Sequence, residues 1–184
     1  MDLAIVLFVM LSYISGSKAI LNNKYRPSIY SRVIWLLLVT NGFISVLALR
    51  NSFAVILLAG LGVLGNLVIL FLSLKKSSRI FGKTELVASI FLIFSLFVWL
   101  FAKLPFLNLS IGLIAHFIGG IPTYKRVIND PRDENIWFWF FFFIATMLTI
   151  ISTDKTHISN YLYPLYYALF NGSMFLFCLR KYIR

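Results

Sequence analysis

Seven apolar stretches dominate this chain, at residues 3–20, 31–49, 53–74, 86–101, 104–123, 136–152 and 158–179. A helix rises 1.5 Å per residue and the hydrocarbon core of a bilayer is about 30 Å thick, so roughly 17–25 residues suffice to cross it. Each stretch therefore predicts a membrane-spanning helix, the fourth and sixth at the short end. The break between the fourth and fifth rests mainly on Lys103 and Pro105. The remaining connections are too short to form a soluble domain. Composition agrees, since 12% of the residues are charged where a soluble domain carries about 25%. The first stretch reads as a retained helix, because Met1-Asp2 lacks a basic leader and Ser15-Gly16-Ser17-Lys18 makes a poor cleavage site.

A net charge of +11 on 184 residues would point to nucleic acid in a soluble protein, but here its distribution gives a different answer. Lys18, Lys24, Arg26, Arg32, Lys75, Lys76, Arg79, Lys83, Lys125, Arg126, Arg132, Arg180, Lys181 and Arg184 fall on one side of the predicted membrane. Arg50, Lys103 and Lys155 fall on the other. By the positive-inside rule the N-terminus is expected outside and the C-terminus in the cytosol. No nucleic-acid partner is needed, whereas membrane lipid, anionic lipid in particular, is an expected one.

The chain also repeats itself. A shift of 104 places Gly16 on Gly120, Pro27 on Pro131 and Trp35 on Trp139; a shift of 105 places Asn66 on Asn171 and Lys75-Lys76 on Arg180-Lys181. Matched leucines mean little between apolar helices, but matched Asn, Pro, Trp and basic pairs are informative. The unit is three helices, and the fourth is left over. Three crossings reverse sidedness, so one extra crossing restarts the second half in the same orientation. The expected fold is all-α, with two parallel three-helix bundles joined by a linker helix. The units are 1–76, a linker 77–103 containing the fourth helix, and 104–184 with a basic tail. The linker helix has little polarity beyond Ser89 and Ser95, as a lipid-facing helix should.

This 3+1+3 pattern resembles the SWEET, SemiSWEET and PQ-loop superfamily of small-solute transporters across almost the whole chain. Gly119-Gly120-Ile121-Pro122-Thr123, followed by Lys125 and Asn129-Asp130-Pro131, stands where that family has its Pro-Gln hinge. Thr123 replaces the Gln, and the first half has Ser17 or Lys18 there and no proline. The resemblance implies a hinge at Pro122 and a solute site between the halves. Residues 121–135 are also similar to a poorly characterised group of bacterial membrane proteins, which implies a multi-pass protein of a bacterial plasma membrane.

Polar side chains at bilayer depth are costly, so each is a site candidate. Asn66, Asn171, His116, Ser12, Asn41 and Thr146, one from each of six helices, fall in one layer. The resemblance implies that the paired asparagines line the solute site. A carboxamide offers two donors and two acceptor lone pairs, which suits a neutral polyhydroxy or amide solute. The alternative is interhelical hydrogen bonding that only holds the bundle together. His116 is the one clearly titratable group near the middle of a span, either a proton-coupling group or a neutral hydrogen-bond donor.

In the same family a tryptophan from the second helix of a repeat often supplies an aromatic platform. Here Trp35, Trp137 and Trp139 are expected in the interfacial belt near the cytosolic helix ends. Phe43, Tyr163, Tyr166, Tyr167 or Phe170 would then have to replace the platform. Asp130, Asp133 and Glu134 complement the start of the sixth helix and can pair with Lys125, Arg126 or Arg132, with a gate latch as the functional alternative. Cys178 is expected to pack as a small apolar residue.

The expected function is transport of a small neutral solute by alternating access, with no cofactor or metal. A single chain carries both halves, so a monomer suffices for a site, and a homo-oligomer is compatible. The alternative is a non-transporting assembly or sensor protein. An enzyme is not expected, because the spans hold no metal-ligand cluster, phosphate loop or carboxylate pair.

Overall fold

In hydrocarbon a helix satisfies its own backbone polar groups, and long uncharged apolar runs fold accordingly. The computed structural model describes residues 1–22, 28–74, 81–154 and 157–182. Lys24, Arg26, Pro27, Lys75, Lys76, Arg79, Lys155 and Arg184 lie outside the described residues, and with them the Pro27 and Lys75-Lys76 repeat matches. Among the described residues seven α-helices form: α1 (Asp2–Leu21), α2 (Ile29–Ala48), α3 (Phe53–Ser73), α4 (Lys83–Phe97), α5 (Pro105–Asn129), α6 (Ile136–Ser152) and α7 (Ser159–Leu179). A π-helical turn, Val98–Ala102, prolongs α4. Six are long and apolar enough to cross a membrane, α4 together with its π turn; α6, of 17 residues, is apolar but shorter.

The break at Lys103 is real: its φ of 54° is left-handed and ends the π turn, and Pro105 opens α5 at a position where its missing N–H costs nothing. At the other end α5 runs six residues beyond the apolar run, through Pro122 to Asn129. Hydropathy ends at Lys125 and Arg126, but a helix does not stop where the apolar run stops.

The helices alternate in direction. Asn135, just ahead of α6, donates to the Ser15 carbonyl near the end of α1 (2.7 Å), the Ser31 hydroxyl on α2 donates to Glu85 on α4, and Arg180 donates to the Ile128 carbonyl (3.4 Å). These contacts gather the C-terminal ends of α1, α5 and α7 with the N-terminal ends of α2, α4 and α6. The C-terminal half of α3 joins them, since Ile69 reaches Gly16 of α1. This is the basic end, with Lys18, Arg32, Lys83, Lys125, Arg126, Arg132, Arg180 and Lys181.

Helix contacts close a ring in the order α1, α3, α2, α5, α7, α6 and back to α1. Helix α4 stands outside it, packed on α5 and α2 through Ala88 and Leu92, with Ile90, Ile93, Phe94 and Phe97 exposed. Ser95, read from sequence as incidental polarity on a linker, is fully buried. It accepts from Asn41 Nδ2 (3.3 Å), within a network where Asn108 Nδ2 donates to Asn41 Oδ1 (3.1 Å) and to the Ser45 hydroxyl (2.7 Å). This network ties α2, α4 and α5 together. Asn108→Ala is expected to cost about 1.5 kcal/mol, near the top of the range for interhelical hydrogen bonds in membranes. Thermal unfolding in detergent checks this against Ser110→Ala, whose hydroxyl donates to the Phe106 carbonyl of its own helix and, among the described residues, to no other helix.

Candidate functional site

Two small cavities lie inside the helix ring and share Tyr13, Trp35, Asn66, Phe138 and Trp139. The first extends toward the basic end, where Arg32, Thr123, Glu134 and Asn135 border it. The second lies deeper and adds His116, Tyr163, Tyr167, Phe170 and Asn171. Each encloses about 30 Å³, space for about two water molecules at most.

Three of the six polar residues singled out in the sequence meet here. Asn66 and Asn171 line the deeper cavity from α3 and α7, and His116 joins them from α5. Asn66 Nδ2 donates to the Tyr13 hydroxyl (2.8 Å) and to its own helix at Gly62 O (2.9 Å), while Asn171 Nδ2 donates to Tyr167 O (2.6 Å). Tyr13 in turn donates to Gly62 O (3.1 Å). His116 Nδ1 is 2.8 Å from the Tyr166 hydroxyl, and its ring lies 4.8 Å from that of Trp35. This buried imidazole is hydrogen-bonded to a neighbouring helix, α7.

The other three line neither cavity. Ser12 donates to Phe138 O (2.7 Å) and fastens α1 to α6. Asn41 belongs to the network with Asn108, and Thr146 bonds back to Phe143 O on α6 (2.7 Å). The bonds of Ser12 and Asn41 are the bundle-holding bonds of the alternative reading, whereas that of Thr146 stays within α6. Pro122 sits inside an α5 that continues past it. Of the acidic residues ahead of α6, Glu134 pairs with Arg126 as expected (3.5 Å), Asp130 Oδ1 accepts from Arg132 N (2.9 Å), and the Asp133 side chain lies outside the described residues; the start of α6 itself is capped by Asn135, whose Oδ1 accepts from Trp137 N (3.0 Å). Cys178 is buried in the apolar cluster around Met174. Among the described residues no His, Cys, Asp and Glu group is suited to hold a metal.

The tryptophans correct the sequence reading. Trp137 is 54% exposed, as the interfacial belt requires, but Trp35 and Trp139 are buried and line both cavities. Depth counted along a helix misplaced them, because it ignores which way the ring points. A glycine on α5 admits Trp35: a Cβ on Gly119 would stand 3.1 Å from its Nε1, and one on Gly120 would stand 2.7 Å from the Phe170 ring, which contacts both indoles. Neither indole N–H has a hydrogen-bond partner among the described residues. A buried unpaired donor is costly, so two of them on rings that line one cavity system are unusual. The signal that could have found them was the repeat, since Trp35 and Trp139 match at the same shift as Gly16 and Gly120.

At the end opposite the basic one, the connection between α2 and α3 meets the connection between α6 and α7. Asn51 Nδ2 donates to Ser159 O (3.1 Å), the Ser52 N–H donates to Asn160 Oδ1 (2.8 Å), and Asn160 Nδ2 donates to Asp154 O (3.2 Å). The sequence reading missed this seal, because polar residues in connections are ordinary. In comparisons with known proteins, no family model, no curated protein and no solved structure matches the chain.

Proposed function

We propose that the chain is a transporter of the SWEET and PQ-loop type, moving a small, neutral, oxygen-rich solute by alternating access between two three-helix halves. The observation that carries this reading is the pairing of Asn66 with Asn171 and of Trp35 with Trp139 around one cavity system, each pair matched by the internal repeat. The ring order supports the 3+1+3 division: α1, α3 and α2 are consecutive, α5, α7 and α6 are consecutive, and α4 is left over. The two unpaired indole donors and the two carboxamides favour hydroxyl and carbonyl oxygens on the solute. The indole faces supply the apolar platform that a sugar ring uses.

In this reading the N-terminus is outside, the basic end is cytosolic, and the protein sits in a bacterial plasma membrane. The bonded Asn51 and Asn160 connections close the outer end, and the cavities lie on the path to the basic end. A sugar-sized solute does not fit in 30 Å³, so the halves must part to admit it. Pro122, which cannot donate to the carbonyl one turn back, is the flexible point.

The test is uptake into proteoliposomes of solutes first ranked by a thermal-shift screen of neutral metabolites. Asn66→Ala and Asn171→Ala are each expected to reduce uptake by roughly 2- to 13-fold, the value of one hydrogen bond at about 0.5–1.5 kcal/mol. Undiminished uptake in both folded variants removes the pocket assignment. A second reading, a non-transporting assembly or sensor protein, is favoured by the small size of the cavities. No bound or transported solute across the screen would select it.

A further inference from the structure

On its outer surface the ring carries a groove of about 530 Å³ between α1 and α3, separate from the cavities inside. Met10, Ile14, Leu64 and Val68 form its flanks, each more than a third exposed. Small residues deepen it: Ser17 on α1 and Gly65 on α3 both line it. It runs along α1 from Val9, near the middle of the helix, to Leu21 at the basic end. That is roughly 18 Å of helix, against about 15 Å for one leaflet's half of the hydrocarbon core. Among the described residues one ionised side chain lines it, Lys18, one turn from the basic end. Tyr13 is its inner wall, and the same ring lines both internal cavities.

We infer that this groove is a binding site for one anionic phospholipid of the leaflet at the basic end, its acyl chain along α1 and α3 and its phosphate on Lys18. An apolar slot as deep as one leaflet, ending at a cation at headgroup level, has the shape and charge of such a lipid. A second copy of the chain is a poorer occupant, because in a shared membrane orientation it brings basic end against basic end. The acyl chain lies against Tyr13, whose hydroxyl holds Asn66. The lipid thus stiffens the wall of the internal cavity from outside.

The test is native mass spectrometry of the purified chain equilibrated with equal amounts of phosphatidylglycerol and phosphatidylcholine of identical acyl chains. The wild type is expected to retain one phosphatidylglycerol with about fivefold preference, which corresponds to about 1 kcal/mol for a basic residue beside anionic lipid. Lys18→Gln is expected to abolish the preference while lipid of either kind still binds. Val68→Trp, which fills the slot and leaves Lys18 in place, is expected to lower retention of both lipids several-fold. Both variants are first required to elute and unfold as the wild type does; Leu64→Phe replaces Val68→Trp if that variant does not. A preference that survives Lys18→Gln, or retention unchanged in the filled groove, overturns the site. Loss of a dimer on filling the groove, with lipid retention unchanged, assigns it to a second copy and also overturns it.

Discussion

Replacing Trp35 and Trp139 together by Phe is expected to reduce uptake at subsaturating solute by roughly 5- to 150-fold, while the thermal midpoint stays close to that of the wild type. The uptake figure is two hydrogen bonds at about 0.5–1.5 kcal/mol each. The stability figure follows from what the indoles lack. Both N–H groups are buried and unpaired among the described residues, so removing them relieves a desolvation cost of about 1–3 kcal/mol each. That relief offsets the void left by the smaller ring. A purely structural tryptophan behaves differently: its truncation costs stability through lost packing and leaves transport per folded molecule unchanged. Uptake in proteoliposomes and thermal unfolding in detergent, measured on the same preparations, separate the two. Unaltered uptake in the folded double variant sinks the assignment of the indoles to the solute site.

How much of this was legible beforehand depended on which physical signal each feature left. The helices were legible because crossing a bilayer demands length and apolarity, and both are local: α6 falls on 136–152 as expected, and α1, α2, α3 and α7 begin and end within two residues of expectation. The extension of α5 to Asn129 was not, since helical propensity continues past the charges that end an apolar run. Within the site, Asn66 and Asn171 were legible as a repeated polar pair at depth. Trp35 and Trp139 carried the same repeat signal, but depth alone assigned them to the interface. Facing is a tertiary property, and for Trp35 the bare backbone of Gly119 gives the indole room. Ser12, Asn41 and Thr146 shared the right depth and pointed elsewhere for the same reason. Asn108 went unnoticed near the start of its helix, although Asn108, Gly112, Ala115 and Gly119 recur at helical spacing along a small and polar stripe.

Gly65→Ala is expected to destabilise the protein more than any other single-methyl addition to its helices. A Cβ built on Gly65 overlaps Cγ, Cδ2 and Cε2 of Tyr13. Because Cγ lies on the axis about which the ring turns, rotation of the ring cannot relieve the clash. Either α1 and α3 move apart or Tyr13 swings out and drops its bonds to Asn66 and Gly62. Overpacking of this kind costs about 1–3 kcal/mol, and the lost hydrogen bonds add to it. Gly62, one turn earlier on the same helix, is the control. A Cβ there meets the Tyr163 hydroxyl at 3.9 Å, an ordinary contact, so Gly62→Ala should be neutral or stabilise by up to about 1 kcal/mol through helix propensity. In a Tyr13→Ala background, which removes Cγ together with the ring, Gly65→Ala should cost little, whereas in a Tyr13→Phe background, which keeps the ring, it should cost as much as in the wild type. If Gly65→Ala unfolds at the wild-type midpoint, the ring of Tyr13 does not lie across α3, and the wall it forms between the outer groove and the Asn66 cavity is removed with it.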